Sequence, residues 1–337
     1  MNLKHPTRSI EVIETVGLRK TFQPKSPGGR GAKKLGTLAP IIAVDGIDLR
    51  VSAGEIFGLL GPNGAGKSTT IKMLATLLAP SGGQARVAGF SLATERSEIR
   101  RVIGVVSQVG GLDSEETPMR ELVHQGMLFG LDRVGAERRV LELLDRFELG
   151  SAANRQIKTL SGGQRRRIDI ALGLVHRPKL LFLDEPTTGL DPQSRANLWE
   201  EVRRLRAEGT TVLITTHYLD EADALCDRLA IVDHGRIVAE GTADALKAGV
   251  GGDVITLHLP NPTAAAALIR TSGLASEIER FGDDALRLTV ARGDSTVGPL
   301  VRLLDDAGIE TTSLSTARPT LDDVFLRHTG RSLRDAA

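Results

Sequence analysis

The sequence predicts an α/β fold: a parallel sheet buried on both faces, an antiparallel β layer beside it, and a small α+β domain at the C-terminal end. Three observations carry this. Leu180-Leu181-Phe182-Leu183 and Thr211-Val212-Leu213-Ile214-Thr215 are continuous apolar or β-branched runs, as strands covered on both faces require. Gly61-Pro62-Asn63-Gly64-Ala65-Gly66-Lys67-Ser68 stands between the apolar run Ile56-Phe57-Gly58-Leu59-Leu60 and a stretch with Ile71, Leu74 and Leu78 at helical spacing. After Gly241 the pattern becomes strand, helix, strand, strand, helix, strand, the order of a ferredoxin-like sandwich.

Composition narrows the possibilities. The chain has 337 residues, 41% of them apolar, and a formal charge of +1, which suits two globular domains and lacks the concentrated basic charge of a general nucleic-acid binder. Cys226 is the single cysteine, so neither an internal disulfide nor a cysteine metal cluster can form, and a reducing compartment fits. No window approaches ~18 uninterrupted apolar residues. Met1 to Arg8 lacks the apolar core of a secretion signal and reads as a frayed start. A role at a membrane would therefore borrow its spanning part from a partner.

In chain order, Ile10 to Val16 and Ala43 to Val51 alternate as strands. With Glu55 to Leu60 they predict the mainly antiparallel layer beside the glycine loop. Between the first two, Gln23 to Pro40 is rich in Gly, Pro and Lys, and no acid occurs between Glu14 and Asp45. Arg19, Lys20, Lys25, Arg30, Lys33 and Lys34 then make a basic loop, read as a solvated insertion with anionic lipid or a partner as the alternative. Thr69 to Leu78 is a helix ended by Pro80. Ala85 to Ala88 and Val102 to Val106 are short strands, the second running into Ser107-Gln108. Thr117 is an N-cap with Pro118 at the first helical position, opening a mainly helical run to Asp145. Leu198, Val202 and Leu205 mark one face of a helix that Gly209 closes. The glycine-rich joint from Gly249 to Gly252 sets domains of 1–248 and 249–337. In the second, Val254 to Leu259, Glu277 to Phe281, Leu286 to Ala291 and Glu310 to Leu314 read as strands, and Ala264 to Thr271, Val297 to Ala307 and Thr320 to Arg327 as helices.

Three stretches carry chemistry. A di- or triphosphate needs many hydrogen-bond donors in a small volume, and glycines let successive backbone N–H groups turn inward without Cβ clashes. Gly61 to Ser68 meets that need. The helix starting near Lys67 adds its positive end, Lys67 a full charge near the β- and γ-phosphates, and Ser68 a hydroxyl for Mg²⁺. Leu160-Ser161-Gly162-Gly163-Gln164 again opens a helix with glycines. Ser161 and the amides of Gly162 and Gly163 suit a γ-phosphate, while Arg165, Arg166 and Arg167 behind them read as a solvated face. The strand Leu180 to Leu183 presents two acids at its end. Asp184 is suited to the Mg²⁺ shell and Glu185 to orienting or deprotonating an attacking water.

With these residues in place, the sequence resembles the nucleotide-binding subunits of ABC transporters over about Glu11 to Lys247, and the signature stretch LSGGQ occurs unaltered as Leu160 to Gln164. The resemblance implies a P-loop NTPase with an ABC-type antiparallel β layer and an α-helical subdomain, using ATP and Mg²⁺. By it, Gln108 is the Q-loop glutamine and joins Ser68 and Asp184 at the metal, Asp191 in Thr188-Gly189-Leu190-Asp191 is the D-loop aspartate, and His217 is the switch histidine. Lys67, Glu185 and His217 are the catalytic set. ATP is bound by Gly61, Pro62, Asn63, Gly64, Ala65, Gly66, Lys67, Ser68, Thr69 and Gln108, with Val44, and with Phe22 stacked on adenine. The active unit is a head-to-tail homodimer in which Ser161, Gly162, Gly163 and Gln164 serve the partner's nucleotide.

Leu74 to Leu78, Gly110 to Asp113 and Arg318 to Leu326 look like the daunorubicin-resistance branch of the family. That implies efflux of a drug or other amphiphile through a separate integral-membrane permease, from the cytoplasmic face of the cell membrane and without nucleic acid. The insertion from Gln23 to Pro40 is longer than the short turn expected there. The rival reading is a soluble ABC-type ATPase acting on nucleic acid or ribosomes, whose paired ATPase halves, long coiled coils or zinc modules this sequence lacks. A regulatory module that binds nucleotide without turnover is disfavoured by Glu185 and His217.

Overall fold

A computed structural model describes residues 11–23, 39–280, 284–331 and 333. They divide into two compact units at Gly241. The first begins with β1 (Glu11–Phe22), β2 (Ile41–Ser52), β3 (Ile56–Leu60), α1 (Lys67–Leu74), β4 (Gly82–Val87) and β5 (Phe90–Ser91). It continues with α2 (Arg96–Val102), β6 (Ile103–Val106), α3 (Pro118–Leu128), α4 (Arg133–Arg146) and α5 (Gly162–Leu174). β7 (Leu180–Asp184), α6 (Pro192–Ala207), β8 (Thr211–Thr216), α7 (Leu219–Leu225), β9 (Arg228–Asp233) and β10 (Arg236–Gly241) complete it.

The antiparallel layer is β2-β1-β4-β5, and the larger sheet is β10-β9-β3-β8-β7-β6, with β3 paired parallel to β8 and β9. The expectation that Glu55 to Leu60 joins the antiparallel layer is therefore corrected. All five residues of β3 are buried, a demand that only an inner strand of a two-sided sheet satisfies. Arg19 and Lys20 are likewise not loop residues. They lie on β1, where the Lys20 ammonium donates to the Ala79 carbonyl at 2.7 Å. Lys25, Arg30, Lys33 and Lys34 lie outside the described residues.

Strand periodicity separates two cores across the large sheet. Leu180, Phe182, Leu213, Phe57 and Leu59 pack with α1 and the antiparallel layer, whereas Leu181, Leu183, Val212 and Ile214 pack with the helices from α3 to α6. Successive strand residues point to opposite faces, so one apolar run serves both. The mainly helical run from Thr117 is borne out as two helices, with Gly130 turning left-handed at φ +90° between α3 and α4. Thr117 does cap α3, accepting from the Arg120 backbone at 3.4 Å. α1 ends at Leu74, short of Leu78, where Thr76 enters the left-handed region at φ +65°. Gly209 closes α6 as expected, at φ +92°.

The second unit holds α8 (Ala243–Val250), β11 (Asp253–His258), α9 (Pro262–Ser272), β12 (Glu277–Arg280), β13 (Ala285–Val290), α10 (Gly293–Asp306), β14 (Ser313–Ala317) and α11 (Leu321–Thr329). Its sheet runs β12-β13-β11-β14 with every pair antiparallel, which is the split β-α-β arrangement of the ferredoxin-like sandwich. Ile255, Leu257, Leu286 and Leu288 pack with Ile269, Leu300 and Leu304 in a core of its own. The chain divides before α8 and not at Gly249 to Gly252. The contact that ties α8 to this unit is long-range in sequence: the Arg327 guanidinium on α11 donates to the carbonyls of Gly249 (2.6 Å) and Val250 (2.5 Å). Phe281, the expected end of β12, lies outside the described residues.

Candidate active site

The glycine loop leaves β3 and enters α1. Gly64 and Gly66 have φ +81° and +103°, a region closed to ordinary side chains. A Cβ on Gly66 would also stand 2.3 Å from the Ala43 carbonyl oxygen, and one on Gly61 2.2 Å from that of Val232. The loop is thus glycine by necessity at both ends. Lys67, 4% exposed, turns back inside it. Its ammonium donates to the carbonyls of Gly61 (2.7 Å) and Pro62 (3.0 Å) and stands 3.4 Å from Glu185 Oε1. Burial holds the Lys67 pKa below the usual lysine value, with Glu185 pulling the other way.

At the end of β7, Asp184 Oδ1 accepts from Ser68 Oγ at 2.8 Å and from Thr215 Oγ1 at 2.6 Å. Glu185 follows, buried and at φ +44°. Its amide donates to Thr215 Oγ1 at 3.0 Å. Its Oε1 faces Lys67. Its Oε2 accepts from Gln108 Nε2 at 3.0 Å and from Thr188 Oγ1 at 3.4 Å. His217 Nδ1 lies 3.3 Å from the same oxygen but without hydrogen-bond alignment. The fold thus brings together Lys67, Gln108, Glu185 and His217 from four separate stretches of chain, with Ser68 and Asp184 beside them. Ser68 Oγ and Asp184 Oδ1 are hard oxygens at the loop's edge, a donor set that fits Mg²⁺, which takes few protein ligands and fills its shell with phosphate and water. Gln108, the third expected ligand, is bonded to Glu185 through its amide nitrogen.

Ser161 opens α5 as a reciprocal cap. Its hydroxyl accepts from the Gln164 amide at 3.2 Å, and Gln164 Oε1 accepts from the Ser161 amide at 3.0 Å. Asp191 caps α6 from one side only, accepting from the Ser194 amide (2.9 Å) and hydroxyl (2.7 Å), and those bonds hold its carboxyl below the usual range. The two helix starts adjoin, since a Cβ on Gly163 would stand 2.9 Å from Ser194 Oγ. Among the described residues no hydrogen bond joins Ser161 to Gln164 with the glycine loop of the same chain. Ser161→Ala removes one cap, so stability is expected to fall by about 1 kcal/mol, or roughly 2–4 °C in thermal unfolding. An unchanged midpoint would mean that the cap is not formed in solution.

Two expected ATP contacts fare differently. Phe22, at the end of β1, is 40% exposed, with the Lys20 ammonium 5.2 Å from its ring centre. Val44 is fully enclosed in the core, so its side chain cannot present a surface to nucleotide, and the expectation is corrected to a supporting role beneath the loop. Sequence reasoning missed Thr215 and Arg166. Thr215 was legible only as a β-branched strand former, though its place opposite Asp184 in the β7–β8 register makes it the hydroxyl between the two acids. Arg166 was read as solvated with its neighbours. It is buried, and its guanidinium donates to the Pro186 and Asp184 carbonyls at 2.8 and 3.2 Å.

Comparisons with known proteins bear on this arrangement. The ABC transporter family model matches residues 44–188, and that of the ATP-binding protein DrrA1-3-like, C-terminal domain matches 241–329. The chain is 45% identical to the daunorubicin/doxorubicin resistance ATP-binding protein DrrA of Streptomyces peucetius, over 98% of this chain and 96% of that one. It is 41% identical to the Nod factor export ATP-binding protein I of Burkholderia lata, over 87% and 94%. Among solved structures, the dimeric post-hydrolysis state of the ATP-binding cassette MJ0796 bound to ADP and Pi is similar with a TM-score of 0.60 and 26% identity, covering 68% of this chain and 98% of the cassette. The ATP binding subunit of an ABC transporter is similar with a TM-score of 0.58 and 27% identity, over 86% and 99%.

Proposed function

We propose, on the premise that this chain belongs to the ABC transporter family as an ATP-binding subunit, that its ATPase activity drives efflux through a separate integral-membrane permease. The cargo is a drug or other amphiphile, and the subunit works peripherally at the cytoplasmic membrane face. Similarity along nearly the whole chain to a resistance ATP-binding protein, with Nod factor export relatives close behind, supports the export direction. Among the described residues no helix is long and apolar enough to cross a membrane.

The observation that carries the catalytic reading is the convergence of Lys67, Gln108 and His217 on the Glu185 carboxylate. Glu185 orients or deprotonates the attacking water, Lys67 holds the β- and γ-phosphates, and His217 meets the γ-phosphate. Ser68 and Asp184, with Gln108, hold Mg²⁺, which supplies charge neutralisation to the phosphates. Ser161 to Gln164, on an exposed and capped helix start, serve the nucleotide of a second copy in a head-to-tail pair, where partial positive charge closes the site. ATP then favours the closed pair by its differential affinity, and hydrolysis releases it.

The test co-expresses the tagged chain with a candidate six-span permease. Expected is co-purification from membranes together with ATP-dependent extrusion of daunorubicin, lost when either chain is omitted. A chain that never associates with membranes and never supports extrusion would overturn the proposal.

A further inference from the structure

Arg166 lies in the second turn of α5, only 8% exposed, and its guanidinium donates to three backbone carbonyls: Pro186 at 2.8 Å, Ser107 at 2.7 Å and Asp184 at 3.2 Å. Two of these flank Glu185 and the third directly precedes Gln108. Asp169, one turn further along α5, takes the far side of the same loop. Its carboxylate lies against the backbone there: a Cβ on Gly110 would stand 2.7 Å from its Oδ2 and 3.1 Å from its Oδ1. The two side chains approach each other at 4.0 Å. One helix face therefore grips the chain on both sides of Gln108 and on both sides of Glu185.

We propose that Arg166 and Asp169 are positioning residues that set the Gln108–Glu185 contact from the helix opened by Ser161 to Gln164. The proposal rests on the hydrolytic roles given above to Gln108 and Glu185. Its physical basis is the planar guanidinium fork, which satisfies three carbonyls from fixed directions, whereas a lysine is a point charge on a flexible stem. In a head-to-tail pair this links the helix start facing one nucleotide to the carboxylate facing the other. A shift of about 1 Å in such a contact can cost on the order of 100-fold in rate.

The experiment compares ATP hydrolysis by full-length wild type, Arg166→Lys and Gly110→Ala, with Arg165→Gln as a solvent-facing control. Arg166→Lys is expected to lower kcat about 10- to 100-fold with KM within about threefold, since the Lys67 loop is untouched. Gly110→Ala displaces the Asp169 carboxylate while leaving Arg166 in place, so the same split is expected if the first variant folds poorly. Three results would overturn the inference: kcat per folded molecule unchanged in both variants, a lowered Tm as their only defect, or an equal kcat loss in Arg165→Gln. Wild type without turnover would instead strike the hydrolytic reading itself.

Discussion

Glu185→Gln is expected to reduce ATP turnover by about 10²- to 10⁴-fold, the usual contribution of a positioned general base, while ATP binding is retained or tightened. The geometry gives both halves. The carboxylate is the counter-charge of buried Lys67, 3.4 Å away. A neutral amide leaves that ammonium without its partner, so the phosphates of ATP gain a stronger claim on it. On the other oxygen, Gln108 Nε2 now faces an amide that must present its carbonyl there to keep the 3.0 Å bond, and neither orientation can take a proton from water. The substitution should therefore trap ATP in the closed pair. Nucleotide binding and single-turnover hydrolysis on the same preparation check it. Turnover near wild type would remove Glu185 from the role.

Lys67→Ala is expected to weaken ATP binding by 100-fold or more, because charge-assisted hydrogen bonds of about 1.5–3 kcal/mol each are lost and about 2.7 kcal/mol is a factor of 100. A second consequence is visible without nucleotide. Both members of the Lys67–Glu185 pair have side chains about one-twentieth exposed, 4% and 5%. Removing one leaves an uncompensated buried charge, and breaking such pairs costs about 3–5 kcal/mol. Thermal unfolding of the nucleotide-free variant should show this. In a Glu185→Gln background the loss should shrink by more than about 1 kcal/mol, since contacting residues couple. Wild-type affinity in Lys67→Ala would contradict the loop assignment, and additive losses would contradict the pair.

Much of this centre was legible beforehand because its chemistry is local. Gly61 to Ser68, Asp184-Glu185 and the glycine-led helix start at Ser161 each announce themselves by residue types whose physical purpose is served within a few positions, whereas the reciprocal Ser161–Gln164 cap came only with the structure. Alternation could not say which sheet β3 joins, because a five-residue apolar run fits either, and only burial on both faces decides it. The Arg165 to Arg167 run hid the difference between one buried and two more exposed guanidiniums, since the carbonyls that Arg166 reaches are 18, 20 and 59 residues away. The glycines from Gly249 to Gly252 marked a real bend, yet Arg327, 78 residues on, decides which unit α8 joins. Contacts of that range leave no local pattern to read.

Glu185 sits on a backbone twisted to φ +44°, where a residue bearing a β-carbon is held at a cost of order 1–3 kcal/mol and glycine would rest at ease. A chain selected for robustness alone would relax that corner by discarding the acid. On the role proposed for Glu185, keeping it there trades sturdiness for aim: the molecule is less robust than its own architecture allows, at a point where an attacking water would be directed.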